Sequence, residues 1–95
     1  LGSRGLGDVY KRQEPQAPVH VLVIPKEHIC CADAVNEENV GNIAHIFTKI
    51  PEITKSLGLT NGYRIVNNCG EDGCQSVKHM HFHILGGKKL NGTMA

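Results

Sequence analysis

The sequence predicts an α+β fold, an antiparallel sheet with one main helix, and three observations carry that prediction. A β-branched run at residues 19–24 reads as a strand, and so do extended segments at residues 63–67 and 78–85. Between the first two strands, from Asn36 onward, the apolar spacing changes to that of a helix. The resulting order is strand, helix, strand, loop, strand. The 95 residues allow one small domain and leave no room for a second.

Each element follows from its residues. Val19-His20-Val21-Leu22-Val23-Ile24 is stopped by Pro25 and reads as a strand buried on both faces. Val40, Ile43, Ala44, Phe47 and Ile50 recur at helical spacing and predict the buried helix face. Glu37 and Glu38 fall where the helix dipole favours negative charge, and Asp33 or Asn36 is placed to cap. Pro51 lacks an N–H and predicts a kink or break, with residues 53–57 continuing for a turn or two. Gly58 suits the left-handed position after the last turn, with Leu59 folding back on the helix. Asn61-Gly62 is a turn signal before the second strand, and residues 68–76 form a polar, glycine-bearing loop. Gly86-Gly87 closes the last strand.

Composition excludes several functions. Two Phe, two Tyr and no Trp leave few aromatic faces for stacking bases, which argues against a nucleic-acid-binding sheet. The formal charge of +1 lacks the basic excess of a duplex-DNA binder. No run approaches the roughly 18 apolar residues of a membrane span. Cys30-Cys31 and Cys69-x4-Cys74 fit neither a disulfide between neighbours nor a zinc knuckle, so reduced, cytosolic thiols are expected. Arg4, Lys11 and Arg12 against Asp8 leave residues 1–13 at net +2 and the remainder at −1. With three glycines among the first seven residues, that segment is expected to be flexible. A domain this small has a thin core, so a partner subunit is expected.

The strongest feature is His79-x-His81-x-His83. In a strand alternate side chains share a face, so the three imidazoles point one way and Met80, Phe82 and Ile84 the other. Three readings compete. The histidines are the solvated face of a half-buried strand, or two of them bind a metal, or the set does phosphate chemistry. Imidazoles two residues apart lie about 6.6 Å apart along a strand and the outer pair about 13 Å, too far for one zinc to collect all three. For phosphate chemistry His81 is best placed as the nucleophile. If its Nδ1–H donates to a backbone carbonyl, the Nε2 lone pair is left to attack phosphorus. His83 and the strand backbone then steady the phosphate oxygens, with Gln75 and Ser76 as further donors.

These residues resemble a known signature. The run from Gln75-Ser76 through His79-Met80-His81-Phe82-His83-Ile84-Leu85 to Gly86-Gly87 is similar to that of the histidine-triad (HIT) family, and its flanks resemble the Hint, or histidine-triad nucleotide-binding, branch. Residues 15–29 resemble that branch's first block, and residues 57–59, 62–64 and 68–73 its middle. The resemblance implies a HIT-like α+β fold and a purine nucleoside 5′-phosphoramidase, cleaving the P–N bond of AMP-amine substrates. It makes His81 the nucleophile that becomes nucleotidylated and His79 the residue whose carbonyl aims it. It also places His83, Ser76 and Asn68 on the phosphate and leaving group, His20 as a fourth histidine on the neighbouring strand, and Leu22 in the base pocket. It implies no metal, a purine nucleotide as partner, and a homodimer with a sheet continuous across two subunits, while composition argues against a nucleic-acid or membrane partner. His28 and His45 read as structural or surface groups.

The sequence departs from the family in three places. Before Pro15 nothing matches. The family's N-terminal helix and hairpin are expected to be missing or replaced, and Arg12 stands where it carries a ribose-binding carboxylate. Residues 1–13 are therefore expected to be foreign, and 14–95 to form a HIT-like domain incomplete at its N-terminus. Cys74 stands at a position that is normally glycine, where a side chain crowds the phosphate or demands a backbone angle Cys adopts poorly. The tail from Lys88 lacks the Trp-Pro-Pro-Gly ending of the animal proteins and resembles microbial relatives. Two alternatives stand beside the enzyme: a nucleotide-binding module that has lost activity with its N-terminal region, and a His/Cys metal site.

Overall fold

The computed structural model describes residues 16–94 and, as backbone, residues 7–11. Four strands form one antiparallel sheet: β1 (Gly7–Lys11), β2 (Val19–Pro25), β3 (Tyr63–Val66) and β4 (Phe82–Gly86), in the order β1-β2-β4-β3. One helix, α1 (Val40–Ser56), packs on a single face of that sheet. The α+β prediction with one main helix holds.

Residues directly opposite each other in an antiparallel pair share a face. Val21 lies across from Ile84, Val23 from Phe82, and Ile65 from Ile84, so these side chains meet the helix. Ile46, Ile50 and Ile53 of α1 close over them, and Ile29, Leu59 and Met80 complete the buried cluster. The other face carries His20 across from Leu85, and Leu22 and Val66 both across from His83. β2, expected to be buried on both faces, is packed on one side and partly covered on the other, where His20 is buried but residues 22 and 24 are only partly so. That open side is where the site lies.

The helix also differs from its prediction. Ile46, Ile50, Ile53 and Thr54 are the buried positions, whereas Val40 and Phe47 are nearly half exposed. The buried stripe runs one position behind Phe47, whose ring instead stands edge-on to Phe82 at 5.7 Å between centroids. Neither Asp33 nor Asn36 is the cap: Asn39 stands at the N-cap without a side-chain capping bond, and Asn36 acts one turn earlier, its Oδ1 accepting from the N–H groups of Glu38 and Asn39 while Asn39 Oδ1 accepts from Asn36 N–H. This organises the turn leading into α1. Asp33 lies in a single 3-10 turn, Ala32–Ala34. Pro51 does not break the helix, which runs without interruption to Ser56. Its end is as expected, because Gly58 takes φ +75° and Leu59 N–H returns to the Thr54 carbonyl at 2.9 Å, burying the Leu59 side chain.

β1 lies inside the segment expected to be flexible. Its five residues pair with β2 from Gly7↔Pro25 to Lys11↔Val21, making β2 an interior strand. Arg12, the position of the expected missing carboxylate, lies outside the described residues.

The helix register is checked by two truncations. Ile50→Ala should cost about 3 kcal/mol of stability in urea unfolding, as for a buried aliphatic residue, and Phe47→Ala less than half as much. Equal losses would contradict the register.

Candidate active site

On the sheet face away from α1 lies a cavity of about 540 Å³, within the usual range for a small-molecule site. Leu22, Ile24, Val66 and Leu85 give it an apolar floor. His20, His79, His81 and His83 line the polar side with Asn68, Ser76 and Cys74. No Asp or Glu is among the described lining residues, whose polar groups are imidazoles, an amide, a hydroxyl and a thiol.

The three histidines share one face as predicted. Burial alternates through residues 79–84, with Met80, Phe82 and Ile84 inside and the three His half-buried. The strand is nevertheless shorter than expected, since β4 begins only at Phe82. On the β3 side the ladder ends at His83, opposite Val66, the last residue of β3, and on the β2 side it stops at Phe82 opposite Val23 although β2 runs on to Pro25. Residues 79–81 are held by other bonds. Met80 N–H donates to the Ile29 carbonyl at 2.6 Å, and Asn67 Nδ2–H donates to the His81 carbonyl at 2.8 Å.

Hydrogen bonds assign the protons. Gln16 backbone N–H donates to His20 Nδ1 at 3.0 Å, so that nitrogen is an acceptor and the His20 proton sits on Nε2. His20 Nε2 then donates to His83 Nδ1 at 2.9 Å, which places the His83 proton on its own Nε2. On His81 the order is reversed: Nδ1 lies 2.8 Å from the His79 carbonyl and must donate to it. In the neutral ring Nε2 of His81 keeps its lone pair. A bare nitrogen on His81 and an N–H on His83 are thereby presented by rings whose centroids lie 5.1 Å apart. One can attack an electrophile while the other donates to it.

The polar loop closes one side. Asn68 Nδ2–H donates to the Gly73 carbonyl at 2.7 Å, Cys74 N–H to Glu71, and Gln75 N–H to Gly70. A Cβ on Gly73 would run into the Cys69 carbonyl, so the turn needs glycine there. Ser76 and Asn68 line the cavity as expected, and Ser76 Oγ has no hydrogen-bond partner among the described residues. Gln75 does not line it. Its amide is committed to the Cys30 and Val77 carbonyls as donor and to Gly70 N–H as acceptor, so it braces the loop from behind. Asn67 and Gln16 were missed as orienting groups. Their work is a bond to a backbone carbonyl or from a backbone N–H, which side-chain type alone does not announce.

His45 is exposed on α1, away from the cavity. His28, also exposed, is not remote: its ring lies 4.7 Å from that of His79. Among the described residues no group of three or more His, Cys, Asp or Glu is arranged to hold a metal ion.

A family model for the HIT domain matches residues 8–90. An uncharacterized HIT-like protein of Rickettsia prowazekii is 46% identical over 87 residues, covering 90% of this chain and 72% of the relative. The structure of a HIT family hydrolase from Clostridium thermocellum superposes with a TM-score of 0.87 at 38% identity, covering 93% of this chain and 77% of that one. A histidine triad nucleotide-binding protein from Candida albicans gives 0.69 at 30% identity, over 81% of this chain and 57% of that one. The chain belongs to the HIT family.

Cys74 departs from an ordinary backbone, with φ +60°. A left-handed L-residue costs about 1–2 kcal/mol, partly offset in glycine by its freer unfolded chain. Cys74→Gly should therefore leave stability unchanged or raise it by up to about 1 kcal/mol, whereas β-branched Cys74→Val should lower it. Urea midpoints of the two variants decide this.

Proposed function

We propose that the chain is a nucleotide-binding hydrolase of the Hint type that splits purine nucleoside 5′-phosphoramidates through a nucleotidylated His81. The observation that carries this reading is the 2.8 Å contact from His81 Nδ1 to the His79 carbonyl, which leaves His81 Nε2 as a bare nitrogen at the cavity.

In the first step His81 Nε2 attacks phosphorus and the P–N bond breaks. The amine leaves with the bond's electron pair and takes up a proton. The His83 Nε2–H group, set by the bond from His20, donates to a phosphoryl oxygen or to the departing nitrogen. Ser76 Oγ and the Asn68 amide add donors around the charge that develops, where fixed dipoles lower a barrier most. In the second step water attacks the same phosphorus and gives one proton to the solvent, replacing the one the amine took up; the N–P bond to His81 breaks with its electron pair returning to Nε2, and the nucleoside monophosphate leaves with His81 neutral again. Leu22, Ile24, Val66 and Leu85 supply an apolar surface on which a purine can lie. All of these residues come from this chain, and no metal enters the reaction.

Two copies are proposed to associate, with the sheet running on from one to the other. β3 is an end strand of the sheet, and an exposed edge invites pairing. Tyr63 on that strand and Phe47 and Val40 on α1 leave apolar surface uncovered. A reducing compartment such as the cytoplasm suits four free cysteines.

Incubation with adenosine 5′-phosphoramidate should release AMP, with acid-labile label trapped on His81 in a rapid quench. His81→Ala should lower turnover by about 10³-fold or more. Turnover retained in that variant would sink the mechanism. AMP binding by calorimetry without turnover in the unaltered chain would establish a binding module instead. Sedimentation equilibrium should give twice the 10.3 kDa chain mass, and a single species at 10.3 kDa would refute the dimer.

A further inference from the structure

We infer that His28 is a positioning residue for His81, acting through the His79–Met80 peptide; the inference rests on the proposed role of His81 as nucleophile. That one peptide unit carries both anchors of the site. Its carbonyl, on His79, accepts the His81 Nδ1–H at 2.8 Å, and its N–H, on Met80, donates to the Ile29 carbonyl at 2.6 Å. The direction of His81 Nε2 therefore depends on how firmly the peptide plane is held.

Residues 28–30 hold it from one side. Ile29 is buried in the core and fixes the Met80 N–H, while the Cys30 carbonyl takes the Gln75 amide and ties in the loop. The remaining freedom is rotation of the plane at the His79 end. There the His79 ring offers no hydrogen bond to resist it: its Nε2 is buried and has no partner among the described residues. What the ring has instead is an aromatic neighbour, His28, with centroids 4.7 Å apart and planes inclined at 50°. A tilted ring pair at that distance is an attractive geometry. His28 thus bears on the His79 side chain while the adjacent residue grips the next amide. Together they clamp both ends of the peptide that aims the nucleophile. His28 touches neither substrate nor reacting atoms.

Three variants test this, read by kcat, AMP affinity, thermal midpoint and the His81 ring spectrum. Because a reacting group misplaced by about 1 Å loses on the order of 10²-fold in rate, a loosened aim should lower kcat by roughly tenfold. His28→Ala should show that loss with adenosine 5′-phosphoramidate while its Kd for AMP stays within about twofold. His28→Gln, polar but without a ring, should behave like His28→Ala. His28→Phe, which restores the ring, should return kcat to within about threefold of the unaltered chain. The ring spectrum is a long-range ¹H–¹⁵N correlation of His81. The unaltered chain should show one protonated Nδ1 and one bare Nε2, and His28→Ala and His28→Gln should average the two signals. Unchanged kcat with unchanged His81 signals would overturn the inference, as would a parallel fall in kcat, AMP affinity and thermal midpoint. If the unaltered chain does not turn over the phosphoramidate, the proposed reaction fails. The ¹⁵N spectra then decide the positioning role alone: averaging in His28→Ala that His28→Phe reverses supports it, and a fixed His81 tautomer refutes it.

Discussion

The antiparallel register between β2 and β4 governs both the core and the site. Because strand side chains alternate with a period of two, a slip of one residue would carry His83 and Leu85 to the helix side and Ile84 to the cavity. The observed pairing instead sets His20 across from Leu85 and Leu22 across from His83, so that the imidazoles of His20 and His83 meet at 2.9 Å. It also puts Val21, Val23, Phe82 and Ile84 together beneath α1. Burial of those apolar residues supplies the force that keeps the register, at about 25 cal/mol for each Å² removed from water. Hydrophobic packing on one face thereby dictates proton placement on the other.

Protons in the site are ordered by backbone groups at both ends. The Gln16 amide starts one chain of donors and the His79 carbonyl ends the other. Neutral imidazoles cannot decide their own tautomers; each takes the one its partner requires. His20 and His83 consequently carry hydrogen on Nε2 and His81 on Nδ1, an asymmetry among chemically identical side chains that comes wholly from position.

Much of this was legible in the residues. The alternation of Met80, Phe82 and Ile84 with three histidines showed which side is core, and Gly58 with Leu59 showed how the helix ends. His81 with an Nδ1–H bond to backbone followed from what a nucleophilic imidazole needs. Other features depended on tertiary contacts that spacing does not encode. Phe47 fits the helical period as well as Ile46 does, and only the position of Phe82 makes it a rim residue. The start of β4 was placed too early because residues 79–81 find their partners in Ile29 and Asn67 rather than in a neighbouring strand. Gln75 looked like a ligand because a polar side chain beside a histidine cluster has that chemistry, yet three internal bonds occupy its amide. A segment rich in glycine and of net positive charge gave no signal of β1, whose five residues pair with the edge of β2.

Fixing the tautomer of His81 with a main-chain carbonyl has a consequence for how this site tolerates change. Every amino acid at position 79 brings the same carbonyl, so the acceptor itself survives replacement there, and what a replacement changes is the packing on His28 that holds the carbonyl in place. A survey of side-chain replacements would record position 79 by what its imidazole packs against and would register nothing of its role as acceptor. The bond that sets the His81 tautomer thus depends on position 79 twice, through a carbonyl that every residue supplies and through a ring that only some can.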